Sequence, residues 1–487
     1  MLFPTEEFLL IFLPVVLAVY YGIHLITHNI TAKNVWLLIA SIIFYAWGEP
    51  VYVFLMIGSI LFNYLMALAI QTQSDRGNAV NKRAMLVLTI TVNIVILFWF
   101  KYAGAVLRTT PWAELTENIV LPIGISFYTF QAMSYVIDVY RGDVYAERNP
   151  LYVGLYISFF PQLIAGPIVR YKSIDKKIKS RSESPTGFAA GAERFVRGLI
   201  KKVLIANRMA VVADAVWNLI IADKLQASVS LAWLGAISYT LQIFFDFSGY
   251  SDMAIGLGGM FGFELPENFD HPYMAKSVTE FWRRWHMTLS RWFRDYVYIP
   301  LGSSRKGSAR LIFNLFIVWL LTGIWHGDCL TFVLWGMIYF VILTIEKFCK
   351  VKVTDDDKKR GNILTNTVRR LYTLLTVILA WVIFRSDSLA DAMAYIRGMF
   401  PVASIISGIS TLSAHGAALA YLRQNLVYYM AAVVLCFPVR EKLKSRAESL
   451  GGSIYHIFYG LIMAGGLILA LSYIYNNAYS PFIYFNF

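Results

Sequence analysis

His326 is the residue whose type and setting point most directly to chemistry. It lies in the run LLTGIWHG at residues 320–327, near the end of an otherwise apolar predicted helix. Ionisable groups inside an apolar helix are costly, which makes them candidates for function. A neutral imidazole there can accept a proton from a hydroxyl nucleophile, and its pKa needs little change to work near neutrality. A buried histidine that serves packing alone is the alternative that the spacing leaves open.

His286 lies in a segment that mixes cations with aromatic residues, EFWRRWHMTLSRWFRD at residues 280–295. The charges recur at helical spacing among tryptophans, which is typical of an amphipathic helix at a membrane boundary. The alternative is a donor pocket, in which arginines meet the phosphates of a coenzyme or an acyl carrier. The candidate donor-binding residues are Arg283, Arg284 and Arg294.

The chain ends with PFIYFNF, an aromatic sequence that also has two interpretations. It is compatible with an aromatic belt at the membrane interface. Alternatively, the tail enters an outward-facing cavity and presents the Tyr484 hydroxyl as a nucleophile. An ester on tyrosine would divide a transmembrane acyl transfer into two easier steps.

Two acids, Asp246 and Asp252, lie six residues apart in the segment FDFSGYSD. Gly249 lies between them, and glycine is unfavourable in a helix interior, so the sequence does not predict that they share a helix face. For both carboxylates we expect structural hydrogen bonds to neighbouring arginines rather than a catalytic role.

The composition identifies the elements that must position these residues. Of 487 residues, 58% are hydrophobic and 15% are charged, whereas a soluble domain carries about 25% charged residues. The apolar residues form runs close to the ~20 residues that cross a bilayer as a helix. We therefore predict an all-α polytopic membrane protein. The net charge of +13 fits cationic loops on the cytoplasmic face and does not indicate nucleic-acid binding. Three scattered cysteines predict neither a disulfide framework nor a metal site.

The hydropathy pattern predicts one membrane domain over residues 1–487, with about a dozen passes and both termini outside the cytoplasm. Two segments do not fit the pattern of a single transmembrane helix. Residues 151–169 contain Pro161 and the pair Gly166-Pro167, which break a helix, and predict a re-entrant hairpin. Residues 245–302 are too polar to face lipid and predict a cytoplasm-facing cavity wall, and residues 476–487 predict an extracytoplasmic aromatic tail.

Six segments together resemble the membrane-bound O-acyltransferase (MBOAT) family, in particular its bacterial branch that serves alginate O-acetylation. The segments are FYAWGEP at 44–50, PQLIAGP at 161–167, FDFSGYSD at 245–252, the run at 280–295, TGIWHG at 322–327 and FIYFNF at 482–487. Each is weak alone, but they span almost the whole chain in the order in which the family has them.

The resemblance implies a fold of about 11–13 transmembrane helices with re-entrant segments around a central funnel, in a bacterial inner membrane. It implies that His326 matches the essential histidine of the family and His286 its supporting histidine. It further implies a cytoplasmic thioester donor, usually acetyl-CoA, and no permanently bound cofactor. The acyl group would pass, with Tyr484 as a relay, to an extracytoplasmic SGNH-hydrolase-like acyltransferase that esterifies an exported polysaccharide. Asp328 and Cys329 depart from the small or aromatic residues expected after His326-Gly327.

Two other functions stay open at the level of sequence. The D-alanine branch of the same family takes its acyl group from a carrier protein and delivers it to teichoic acid. A transporter without a covalent step would also use broken helices and charges at membrane depth. We find no inverted repeat that would favour the transporter.

Overall fold

Helices make up the regular secondary structure of the computed structural model, which describes residues 1–116, 119–221, 228–303, 307–349, 362–400, 412–448, 453–476 and 479–481. Within these ranges no strand occurs. Ten of the described helical segments are long and apolar enough to cross a membrane. This confirms the prediction of an all-α polytopic membrane protein. The described residues form two compact units, Met1–Gly198 with Tyr250–Glu267 and Leu199–Gly249 with Asn268–Phe487.

The described part of the first unit contains the N-terminal helices and the end of a long later one. They are α1 (Leu13–Thr27, preceded by a π-helical turn at Glu7–Phe12), α2 (Ile30–Gly48), α3 (Tyr52–Asp75), α4 (Ala79–Leu107), α5 (Ile125–Arg141), α6 (Pro150–Ser158), α7 (Phe160–Leu163), α8 (Tyr171–Lys179), most of α9 (Pro185–Ile200) and the end of α11 (Val229–Met260).

The segment predicted as a re-entrant hairpin is broken in the way its prolines and glycines suggest. α6 ends at Ser158, and Pro161 lies in the first turn of α7, where a missing amide proton costs nothing. Gly166 packs so closely that a Cβ atom would lie 2.4 Å from the Cα atom of Gln162. The Gln162 amide donates to the Tyr156 carbonyl at 2.6 Å, which satisfies a backbone group that the break exposes. The position of this segment in the membrane stays a prediction.

The second unit contains the remaining helices. They are the π-helical segment Lys201–Ala206, α10 (Asn207–Ile221), most of α11, α12 (Val278–Arg284), α13 (Met287–Phe293), a π-helical turn at Arg294–Tyr298, α14 (Ser308–His326), α15 (Leu330–Phe348), α16 (Ile363–Arg385), α17 (Leu389–Gly398), α18 (Leu412–Gln424), α19 (Leu426–Leu435), α20 (Val439–Glu448) and α21 (Ser453–Tyr475).

The helical spacing of residues 280–295 does not produce one helix. The chain is extended at Trp285 and left-handed at His286 (φ +42°), so that α12 and α13 are separate. Each helix start is satisfied by a distant side chain, because the first amides of a helix lack partners within it. Buried Glu346 accepts the amides of Val278 and Thr279, both at 2.8 Å, and Asn268 accepts the amide of Thr288 at 3.2 Å.

The two acids of FDFSGYSD lie in a continuous helix, since α11 runs through Gly249 without interruption. The expected arginine partner is present for Asp252, whose carboxylate lies 2.9 Å from the Arg194 guanidinium. For Asp246 the expectation is wrong in the identity of the cation: its carboxylate lies 2.6 Å from the ammonium of Lys202.

Candidate active site

His326 is the last residue of α14 and is almost completely buried. Aromatic rings from α15 and α16 surround its imidazole, with ring centroids at 5.1 Å for Trp335 and 4.9 Å for Phe384, both nearly perpendicular to it. The neighbouring Trp325 ring lies at 4.7 Å. This cluster holds the imidazole in one place and removes it from bulk water.

Two glycines allow α15 to approach α14 this closely. A Cβ atom on Gly336 would lie 2.4 Å from the carbonyl oxygen of Trp319, and one on Gly323 would lie 2.6 Å from that of Phe332. Real Cβ atoms do not tolerate such distances from backbone atoms. The run TGIWHG therefore supplies both the imidazole and the smooth helix surface on which its aromatic neighbours pack.

His286 is equally buried, and its hydrogen bonding defines its tautomer. Its Nδ1 lies 3.1 Å from Oδ1 of Asn268. That atom must be the oxygen, because it also accepts the backbone amide of Thr288. Nδ1 of His286 is consequently the donor, and the neutral ring carries its acceptor lone pair on Nε2. Burial lowers the pKa of His286 to about 3, so the ring stays neutral throughout the neutral pH range.

Both histidine rings lie near one indole ring. The Trp325 centroid is 6.3 Å from that of His286 and 4.7 Å from that of His326. The structure thus brings together two predicted site residues that belong to separate segments of the chain. Phe247, from the predicted segment FDFSGYSD, contacts the other side of His286 at 4.6 Å.

A cavity of about 320 Å³ follows one face of α14 on the side of its N-terminus. We call it the arginine cavity. Its charged lining residues are Arg283, Arg294 and Lys347, and its lining on α14 consists of Leu311, Leu315, Val318, Trp319 and Thr322. Its volume is within the ~300–1,000 Å³ of typical small-molecule sites. Three cations above apolar walls suit a ligand with anionic groups at one end and an apolar arm.

Two of the three arginines predicted to bind a donor, Arg283 and Arg294, line the arginine cavity. Arg284 is engaged elsewhere: its guanidinium lies 2.7 Å from the Glu280 carboxylate and donates to the carbonyl oxygen of Asp270 at 3.3 Å. Arg283 and Arg284 are adjacent on a helix and so point about 100° apart, and α12 directs only the first of them into the cavity.

A second cavity, of about 440 Å³, begins where α14 ends. We call it the C-terminal cavity. Its lining residues include Asp214, Trp217, Tyr239, Gly327, Asp328, Cys329, Phe332, Phe384, Arg385, Tyr479 and Pro481. Asp328 and Cys329, which depart from the expected pattern after His326, thus line this cavity.

His326 is buried and lines neither cavity itself, but residues close to it along the chain line both. Thr322, one helical turn before it, lines the arginine cavity, and Gly327, directly after it, lines the C-terminal cavity. Phe332 and Phe384 line the C-terminal cavity and also contact the His326 ring, at 6.2 and 4.9 Å between centroids. Both cavities thus reach the part of the chain that carries the buried imidazole.

Tyr484 lies outside the described residues. The last described residue is Pro481, three residues before Tyr484, and it lines the C-terminal cavity. The same cavity is lined by Tyr479.

Sequence reasoning missed Asn268, Trp335, Asp214 and Lys202. Asn268 is 18 residues from His286, and no local period links the two. Trp335 is one of 13 tryptophans in an aromatic-rich chain, so its residue type carries no signal by itself. Its buried indole N–H has no hydrogen-bond partner among the described residues, and a buried donor of this kind is a feature of ligand sites.

We predict that Asn268→Ala lowers kcat roughly 10- to 100-fold, the usual cost of losing a group that orients a site residue. The substitution removes the acceptor for His286 Nδ1 and for the Thr288 hydroxyl and amide. The measurement is acyl transfer by purified protein, at equal amounts of folded protein. Asn314→Ala removes another fully buried asparagine, from α14, and is expected to retain activity. Equal loss in both variants would contradict a specific role for Asn268.

Comparison with known proteins identifies the family of this chain. The family model for membrane-bound O-acyltransferases matches residues 85–384, a range that contains both histidines. A probable alginate O-acetylase of Pseudomonas putida is 41% identical over 408 residues, covering 82% of this chain and 80% of the relative. A peptidoglycan O-acetyltransferase of Helicobacter pylori is 35% identical over 82% of this chain and 80% of the relative. A teichoic acid D-alanyltransferase of Bacillus subtilis is 31% identical over 48% of this chain and 60% of the relative. The chain is an O-acyltransferase that belongs to the membrane-bound O-acyltransferase family.

Proposed function

We propose that this enzyme transfers an acetyl group from a cytoplasmic thioester, acetyl-CoA, across a bacterial inner membrane for O-acetylation of an exported polysaccharide. The observation that carries the proposal is that residues next to the buried His326 line two cavities whose lining residues differ. Similarity to relatives named for alginate and peptidoglycan O-acetylation supports a polysaccharide as the final acceptor.

The arginine cavity is the proposed donor site. Arg283, Arg294 and Lys347 would pair with the phosphates of the coenzyme, while the apolar face of α14 would receive the pantetheine arm. The face of α14 that lines the cavity continues toward His326, because residues four apart on a helix lie above one another. The thioester would therefore arrive beside the imidazole.

His326 is the proposed general base. It accepts the proton of the attacking hydroxyl as the hydroxyl oxygen forms a bond to the thioester carbonyl carbon. The carbon–sulfur bond then breaks, and the thiolate takes up the proton to leave as free thiol. His286 would orient the donor or the base through its contact with the Trp325 ring.

The accepting hydroxyl is proposed to be that of Tyr484, which would carry the acetyl group as an ester on the outer side. An extracytoplasmic SGNH-hydrolase-like acyltransferase would then take the group from Tyr484 and esterify the polymer. This arrangement requires an extracytoplasmic C-terminus, and the topology of the basic loops favours the same side for the N-terminus.

The D-alanine pathway is the second candidate function, favoured by the similarity to teichoic acid D-alanyltransferases. It uses the same base and the same acyl relay but a carrier-protein thioester. The deciding experiment supplies purified protein with radiolabelled acetyl-CoA or with a D-alanylated carrier protein. A label that appears on the protein with acetyl-CoA alone supports the proposal. Labelling by the carrier alone supports the alternative, and labelling by neither contradicts both.

We predict that Arg283→Gln and Arg294→Gln each raise KM for acetyl-CoA about tenfold with little change in kcat, since a charge-assisted hydrogen bond contributes ~1.5–3 kcal/mol at most. Arg284→Gln is the matched control on the same helix, and its KM is expected to stay near that of the parent. Initial rates over a range of acetyl-CoA concentrations give both constants. An increase in KM for Arg284→Gln alone would place the donor elsewhere.

A further inference from the structure

The last described residues of the chain, of which Tyr479 and Pro481 line the C-terminal cavity, contact two charged groups. Lys202 donates from its ammonium to the carbonyl oxygen of Pro481. The Tyr479 hydroxyl donates to Oδ2 of Asp214 at 2.8 Å. These contacts join residues 279 and 265 positions apart in the chain, respectively.

Lys202 is a charge in a setting that normally excludes charges. Its side chain is 2% exposed, and its partner Asp246, at 2.6 Å, is 1% exposed. Taking two ions out of water is costly, and a buried ion pair is weak evidence of a contribution to stability. Apolar residues of similar size could not replace one property of the pair. Its ammonium group donates a hydrogen bond to the backbone of the C-terminal segment, at Pro481.

Asp214 is fixed in a comparable way. Its other carboxylate oxygen pairs with Arg385, the last residue of α16. The Arg385 guanidinium stacks between the rings of Trp217 and Tyr239, with 4.8 Å to each centroid. Asp214 thus presents one oxygen to Tyr479 from a rigid position, and the segment Tyr479–Pro481 has one anchor for a side chain and one for the backbone.

We propose that Lys202 and Asp214 are positioning residues that dock the segment Tyr479–Pro481 in the C-terminal cavity, and that this docking is required for acyl transfer to the proposed acceptor, Tyr484. The proposal deepens the proposed function, because it rests on Tyr484 being the acceptor. An acceptor that is held near the base reacts in an effectively unimolecular step, and this effect accounts for large rate accelerations in enzymes.

Docking can be tested without measuring activity. A photo-crosslinking amino acid, p-benzoylphenylalanine, is introduced in place of the exposed Ser480, between the two anchored residues, in the protein in membranes. Crosslinks identified by mass spectrometry are expected on peptides that line the C-terminal cavity, those containing Trp217, Tyr239 or Arg385. Lys202→Met is expected to lower their yield at least fivefold. Absence of these crosslinks in the parent, or an unchanged yield in Lys202→Met, overturns the proposal.

Lys202→Met removes the ammonium that pairs with Asp246. A second variant therefore separates the loss of docking from an effect of the remaining carboxylate on folding. The double substitution Lys202→Met with Asp246→Leu removes both charges and is expected to fold while losing the crosslinks. Lys202→Arg retains a donor to the Pro481 carbonyl and should restore them. Lys33→Met is the matched control, because Lys33 is a lysine of similar burial whose carboxylate partner is Glu183, at 2.8 Å. Loss of the crosslinks in Lys33→Met as well would contradict a specific role for Lys202.

Transfer is measured in the same variants with radiolabelled acetyl-CoA. Lys202→Met and Asp214→Asn are each expected to lower the acetyl label on the protein at least tenfold. Hydrolysis of acetyl-CoA, in which water takes the acetyl group, should continue at a rate within about twofold of the parent. A parallel loss of hydrolysis would show a general defect and overturn a positioning role. If crosslinking responds as expected but Tyr484→Phe still takes up label, docking stands and the proposed relay fails.

Discussion

His326→Ala is expected to abolish polysaccharide acetylation while the protein remains in the membrane at its normal level. The substitution removes the proposed base, and loss of a positioned general base costs about 10²–10⁴-fold in rate. The substitution would leave the helix intact, because alanine is the best helix former and His326 ends α14. The measurement combines acetyl content of the exported polymer with the amount of full-length protein in membranes. We expect purified variant to lose labelling by radioactive acetyl-CoA in parallel.

The matched control for this prediction is His456→Ala, which removes an exposed histidine at the start of α21. It is expected to retain full acetylation. His326→Gln preserves much of the side-chain volume and separates the chemical effect from a packing defect among Trp335 and Phe384. Normal polymer acetylation in either His326 variant would contradict the assignment of the base.

Tyr484→Phe is expected to lower polysaccharide acetylation at least 100-fold and to eliminate the acyl label on the protein. The substitution removes one oxygen atom, without which the proposed ester cannot form, and leaves the aromatic ring. Peptide mapping after labelling with radioactive acetyl-CoA should find the acetyl group on the C-terminal peptide of the parent. Hydrolysis of acetyl-CoA should persist in the variant, because its donor cavity and base are unchanged.

Tyr475→Phe is the control within the same part of the chain. Tyr475 ends α21 with 73% of its surface exposed, and its substitution is expected to leave both labelling and acetylation unchanged. Normal polymer acetylation by Tyr484→Phe would mean that the acceptor attacks the thioester directly, and the relay would then be excluded. Label on a different residue of the parent would exclude Tyr484 as its site.

Much of the fold could be predicted from the sequence because a membrane constrains a helix locally. The bilayer sets the length of a span, and the lack of water inside it requires each backbone group to find its partner within the segment. A hydropathy pattern therefore predicts helices such as α14 without knowledge of their neighbours. The same local rule singled out His326, because an imidazole inside an apolar run is conspicuous whatever surrounds it.

The sequence was least informative where polar groups cross long distances to satisfy one another. At the break between α12 and α13, Asn268 accepts the amide of Thr288 in the first turn of α13. Helical spacing across residues 280–295 gave no sign of it, because the signal lies in the partners and not in the run itself. Arg283 and Arg284 are equivalent as neighbours in a sequence, and only the packing of α12 separates the one that lines the arginine cavity from the one that pairs with Glu280.

The sequence alone thus determined that the chain is a bundle of apolar helices with a histidine among them, because hydropathy and the cost of a buried polar group act on each segment separately. Only the tertiary structure decided which residues surround that histidine. The close approach of α15 at Gly336, the shared contact of both histidines with Trp325 and the capture of Pro481 by Lys202 are all pairings between distant segments. Such pairings form because desolvated polar groups and rings must find partners in three dimensions, and no period along the chain records which partners they find.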